Sequence, residues 1–176
     1  IVRELSETGI AETHLDELFP GENKLSLLQA YANKLRPEAE IKTGKTFLDN
    51  LWDATPLLDL ANPFLKISLD ERILDVVNSY LQMYSRFYYM NLNVTKPIKE
   101  GEKASASQRW HRDPEDKKML KLFIYLNDVD EVSGPFTYIP GSKYGFRWGN
   151  VFPQRPPRGF YPEDGEVEKI IPKEAV

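Results

Sequence analysis

No cysteine occurs in the chain. Disulfides, thiolate nucleophiles and cysteine-bound zinc are therefore excluded, although this does not fix the compartment. Histidine is nearly as scarce, with His14 and His111 alone. No apolar run approaches the roughly 18 residues of a membrane span. Excess positive charge is also missing: 23 Lys and Arg face 27 Asp and Glu, for a net charge of −4. That argues against nucleic acid as a partner. Neither G-x-G-x-x-G nor a Walker-type phosphate loop is present. "GEKASAS" lacks the glycine spacing and the Lys-Ser/Thr end that such a loop requires.

What remains fits a folded chain. Its 176 residues are 41% hydrophobic and 12% aromatic, enough for one domain over 1–176 with a sizeable core. A cytoplasmic location is the default. The chain opens at Ile1, and residues 166–171 alternate like an unfinished strand near its end. Both features are expected of a piece of a longer protein.

Helices are expected first. Leu27, Leu28, Tyr31 and Leu35 give residues 23–36 an apolar stripe at helical spacing. Short helical pieces broken by Pro56 and Pro63 follow, with Trp52, Leu57, Leu58 and Leu60 facing inward. The clearest helix covers 69–82, capped by Ser68 or Asp70 and striped by Ile73, Val76, Val77, Tyr80 and Leu81. Strands are expected next, over 84–94, 120–127 and 135–140, from aromatic and β-branched density. Apolar residues on both parities of 122–126 suggest a strand covered on both faces. Helices before strands argue for an antiparallel core and against a βαβ nucleotide fold. Residues 1–82 thus read as a helical lead-in and 83–176 as the first part of a β core.

"SQRWHRDPED" carries the chemistry-bearing residues. In an extended chain His111 and Asp113 point to one side, about 7 Å apart along the backbone, while Trp110 and Arg112 face away. An imidazole nitrogen and a carboxylate oxygen are two donors of a two-histidine, one-carboxylate face on non-haem iron. Alone, H-x-D equally describes a polar loop whose His and Asp pair with nearby charges.

The surroundings add to the motif. Trp110, His111 and Asp113, followed by "YLNDVDEVSGPFTYIPGS", resemble the phytanoyl-CoA dioxygenase family of iron(II)- and 2-oxoglutarate-dependent oxygenases. The helix at 69–82 and "RFYYMNLNVTKP" resemble that family's lead-in, so the likeness covers about residues 65–146. It implies a mainly β fold, a double-stranded β-helix or jelly-roll with N-terminal helices, here incomplete. It implies Fe(II) on His111 and Asp113, with 2-oxoglutarate as cosubstrate. It further implies a dioxygenase hydroxylating a small-molecule substrate with molecular oxygen. Asn91 and Asn93, on the strand that lines the family's cosubstrate pocket, are candidate cosubstrate contacts. So is Gln108, three residues before the motif. An aspartate at position 113 favours hydroxylation over halogenation within such enzymes.

The chain departs from the family pattern in two places. Lys143 stands after P-G-S where the family often has His. No histidine follows His111, so the distal ligand and its companion arginine have no counterpart. Arg147, Arg155 and Arg158 follow no second motif histidine, and His14 reads as a surface or helix-end residue. The expectation is an oxygenase whose missing ligands lie beyond Val176. The alternative is a non-catalytic jelly-roll binding or scaffold module with a partial metal site.

Overall fold

The computed structural model describes residues 1–36, 48–52, 59–96, 101, 103, 106–116, 118–153 and 159–176. Leu57, Leu58, Pro56, Arg155 and Arg158 lie outside them. The chain divides into two compact units, Thr13–Lys99 with Leu122–Pro135, and Ile1–Glu12 with Glu100–Lys121 and Phe136–Val176.

In the unit built on Thr13–Lys99, local sequence sets the helix ends. α1 (Val2–Thr8) belongs to the other unit; α2 (Leu15–Leu18) and α3 (Lys24–Leu35) open this one. On α3, Leu28 and Ala32 are buried four residues apart, while Leu27 is exposed. After β1 (Leu48–Asn50) comes α4 (Pro63–Ser68), where Asn62 Oδ1 accepts the Phe64 amide at 2.9 Å. Pro63 occupies the first helical turn, where its missing N–H costs no hydrogen bond. It begins a helix instead of breaking one. α5 (Glu71–Leu81) starts the same way, with Asp70 Oδ1 accepting the Arg72 amide at 3.1 Å. It falls inside the span that its cap and periodicity predict. Phe19, Leu28, Leu65 and Ile67 are fully buried. Phe64 makes edge contacts with Tyr31 and Trp52. Leu60, expected inward, is 68% exposed.

Strand pairing is confined to β1 with β2 (Asn93–Thr95), antiparallel, among the described residues. The expected jelly-roll is therefore a misreading: the described fold is mainly helical, with six helices and one two-stranded sheet. Aromatic and β-branched alternation selects extended backbone, but a strand also needs a partner for its ladder. Residues 84–92, 120–127 and 135–140 are without regular strand structure. Tyr84, Tyr88, Leu122, Phe123, Tyr125 and Phe136 are exposed. Ile124 and Leu126 pack on the core while Phe123 and Tyr125 face out, so this segment is covered on one side only. The Leu126 carbonyl accepts from Gln29 Nε2 at 2.6 Å, a side chain in place of a neighbouring strand.

The other unit gathers the chain's two ends. Ile139, Phe152, Val167 and Ile171 form its core, with Trp110, Trp148 and Phe160 packed around it. Residues 166–171, expected as a strand, contain α6 (Glu166–Ile170). Val167 and Ile171 are buried and Ile170 is exposed. The spacing of four belongs to one helix face, and a six-residue stretch carries too few positions to separate the two periods. α1 ends at Gly9, φ 88°, where an added Cβ would also collide with the Tyr138 hydroxyl. Lys143 Nζ donates to the carbonyls of Leu5 and Ser6 at 3.2 and 2.7 Å. It satisfies the last turn of α1, where a cation also complements the helix dipole. Among the described residues no helix is long and apolar enough to cross a membrane.

Candidate functional site

The 107–116 stretch is held from both sides of its backbone. A 3-10 turn at Ala106–Gln108 leads into it. Arg112 then makes an isolated antiparallel bridge to Phe160, donating its amide at 2.8 Å and accepting at 3.2 Å. Gly159, next to that bridge, has φ 68° and lies so close that any Cβ would strike the Arg112 carbonyl. Only glycine meets both conditions.

Alternation along this short extended run sorts the side chains. Trp110 packs on the hydrophobic cluster, and its Nε1 donates to Glu168 at 2.9 Å. Arg112 Nε donates to the Phe152 carbonyl at 2.7 Å. Burial lowers the Arg112 pKa, because charge is disfavoured away from water. Arg109 pairs with Asp164 at 3.0 Å and donates to the Pro162 carbonyl at 2.9 Å.

His111 and Asp113 come together. His111 Nε2 lies 3.6 Å from Asp113 Oδ1, an ion-pair distance beyond hydrogen-bond range. The other ring nitrogen, Nδ1, is 2.7 Å from the Arg109 carbonyl oxygen. A carbonyl only accepts, so Nδ1 carries the proton and, in the neutral ring, Nε2 keeps its lone pair toward Asp113. Tyr161 stacks on the imidazole at 5.5 Å between centroids, with planes 18° apart. Lys121 Nζ sits 2.9 Å from Asp113 Oδ2 and 3.7 Å from Glu115 Oε1. The Asp113 carboxylate raises the His111 pKa above the ordinary imidazole value, against the opposing effect of burial. His111 first and Lys121 second hold the Asp113 carboxyl down to about 2.

A metal ion fits this pair as far as two donors go. His111 Nε2 and Asp113 Oδ1, 3.6 Å apart, are donor types that a first-row divalent ion would take. The hydrogen bond from Nδ1 to a carbonyl is the outer contact that orients a histidine ligand. No third donor joins them: among the described residues no group of three or more His, Asp or Glu is placed to hold a metal.

The remaining candidates fall elsewhere. Gln108 is half-buried in the 3-10 turn of the same unit. Asn91 and Asn93 are exposed in the other unit, Asn93 standing opposite Asn50 across β1 and β2. His14, also in that unit, is the N-cap of α2. Arg147 lies over the Trp148 ring at 4.4 Å. Tyr144 is 89% exposed. Sequence reasoning missed Lys121 and Tyr161. Nearby charges were part of the bland reading of H-x-D, but no local pattern picks out these two.

This architecture also overturns the expected activity. A hydroxylating dioxygenase of this class requires a β-rich double-stranded helix to carry its iron and cosubstrate. The described fold is mainly helical with an open two-stranded sheet. The oxidoreductase reading and its alternative, a non-catalytic jelly-roll module, both lose that scaffold, and among the described residues no preformed metal cluster stands in for it.

Comparison with known proteins gives a match to a family model. The family model described as phytanoyl-CoA dioxygenase (PhyH) covers residues 15–162. It brings a family-level association with Fe(II) and 2-oxoglutarate. No curated protein and no solved structure matches the chain.

Proposed function

Because the chain belongs to the phytanoyl-CoA dioxygenase family, we propose that it binds a divalent cation through His111 Nε2 and Asp113 Oδ1. Iron(II) is the cation the family association points to, and 2-oxoglutarate is the anion that would accompany it. The observation supporting this reading is the orientation of His111. Its Nδ1 is engaged by the Arg109 carbonyl at 2.7 Å, which leaves Nε2 directed to Asp113 at 3.6 Å. A histidine and a carboxylate suit a first-row divalent ion, and with two protein donors the remaining positions go to water or an added chelator. Gln108, in the same unit, is the nearest of our candidates in sequence for a hydrogen bond to a 2-oxoglutarate carboxylate. The partner is thus a small molecule, and no reaction step is assigned.

Mn(II) titration tests the reading. Paramagnetic broadening of the His111 imidazole signals, together with calorimetry, measures binding without air oxidation. Weak binding is expected, enhanced by 2-oxoglutarate and abolished by His111→Ala and by Asp113→Asn in folded protein. Broadening that spares His111, or calorimetric binding that survives both substitutions, overturns it.

A further inference from the structure

A cation already sits on the proposed site: the ammonium of Lys121. Its Nζ is 2.9 Å from Asp113 Oδ2, and Glu115 Oε1, at 3.7 Å, adds a second carboxylate to hold it. The Lys121 side chain is 29% exposed and that of Asp113 33%. The pair is therefore partly withdrawn from solvent, where like charges repel more strongly than in open water. A divalent ion on Asp113 Oδ1 and His111 Nε2 would share one carboxylate with this ammonium.

We propose that Lys121 is an internal competitor that holds down the cation affinity of the His111–Asp113 pair. The proposal rests on the reading that this pair binds a cation, and it adds a regulatory element to that site. With the ammonium in place, Asp113 is neutralised and a divalent ion gains little from it. Displacing the side chain, or removing its charge, returns the full carboxylate to the ion. Whatever else draws Lys121 away, such as an anionic ligand, would then raise cation affinity. Anion and cation would bind cooperatively, because each relieves a cost borne by the other.

The experiment uses the whole chain and three substitutions, Lys121→Met, Lys121→Gln and Lys121→Arg, each checked for folding by circular dichroism. Mn(II) affinity is read from the broadening of His111. The two neutral variants are expected to bind at least tenfold tighter than wild type, and Lys121→Arg, which keeps the charge, to match it. Adding Asp113→Asn to Lys121→Met should erase the gain. If wild type binds Mn(II) at His111 and neither neutral variant binds it tighter, the competitor role is overturned while the cation site stands. A gain in Lys121→Arg as large as in Lys121→Met also overturns it, since charge would not be the cause. If no variant binds Mn(II) at His111, both the site and its competitor fall together.

Discussion

The ring of Tyr161 lies on the imidazole of His111, 5.5 Å between centroids and 18° from parallel. The same tyrosine faces the Arg109 guanidinium at 6.0 Å. Arg109 supplies the carbonyl that engages His111 Nδ1. One aromatic side chain therefore limits the imidazole on a face its hydrogen bond leaves open.

Tyr161→Phe should preserve this contact, and Tyr161→Ala should lose it. Such pairs contribute about 0.5–1.5 kcal/mol beyond simple burial. The expected outcome is a stability loss of about 1 kcal/mol for the alanine variant, with altered His111 ring shifts. The phenylalanine variant should stay near wild type in both. Urea melts and imidazole spectra provide the check.

Gly159→Ala is a sharper test of the bridge beside the site. It meets both a positive φ of 68° and the Arg112 carbonyl. Backbone strain of this kind costs about 1–3 kcal/mol, and the collision adds to it. A urea midpoint unchanged by Gly159→Ala would mean that the Arg112–Phe160 bridge is not formed.

Acid should act on the head of α5. Arg72 pairs with Asp70 at 2.8 Å and with Glu22 at 2.7 Å. The Arg72 guanidinium holds Asp70 down to about 2, from 3.8 unfolded. A depressed carboxylate contributes its stability fully above the unfolded value and loses it as pH falls through the folded one. The Asp70 contribution should therefore decline between about pH 4 and 2. Thermal melts over that window should fall less steeply for Asp70→Asn than for wild type. Equal slopes would remove Asp70 from the account.

The two neighbouring leucines on α3 should behave oppositely. Leu28 is fully buried and Leu27 is 51% exposed. Leu28→Ala should cost about 2–5 kcal/mol, and Leu27→Ala about 0.5 kcal/mol or less. Denaturant unfolding of both variants distinguishes this facing from the reverse.

What was legible in the sequence was local. Asp70 before a striped run announces α5, and Leu28 with Leu35 announces α3. Each signal lies within one or two turns of what it specifies. The strands misled because alternation marks extended backbone, whereas pairing depends on distant residues. Residues 122–126 show the difference: Ile124 and Leu126 are inward, yet the carbonyl of Leu126 meets a glutamine. At the site, the spacing of His111 and Asp113 was readable and their shared side follows from it. Tyr161 reaches His111 from the residue next to the Arg112–Phe160 bridge. Lys121 arrives from beyond the Pro114 bend. Neither arrival leaves a short-range trace.

The tether on α1 bears on the order in which the chain can fold. Lys143 Nζ reaches the Leu5 carbonyl across a sequence separation of 138, and the Gly141 amide donates to the Thr8 carbonyl at 2.6 Å. On the ribosome, α1 emerges long before either donor exists. Helices α3, α4 and α5 meet partners close in sequence and can dock early. α1 must wait, exposed, until Lys143 is made, and closing so large a loop is slow.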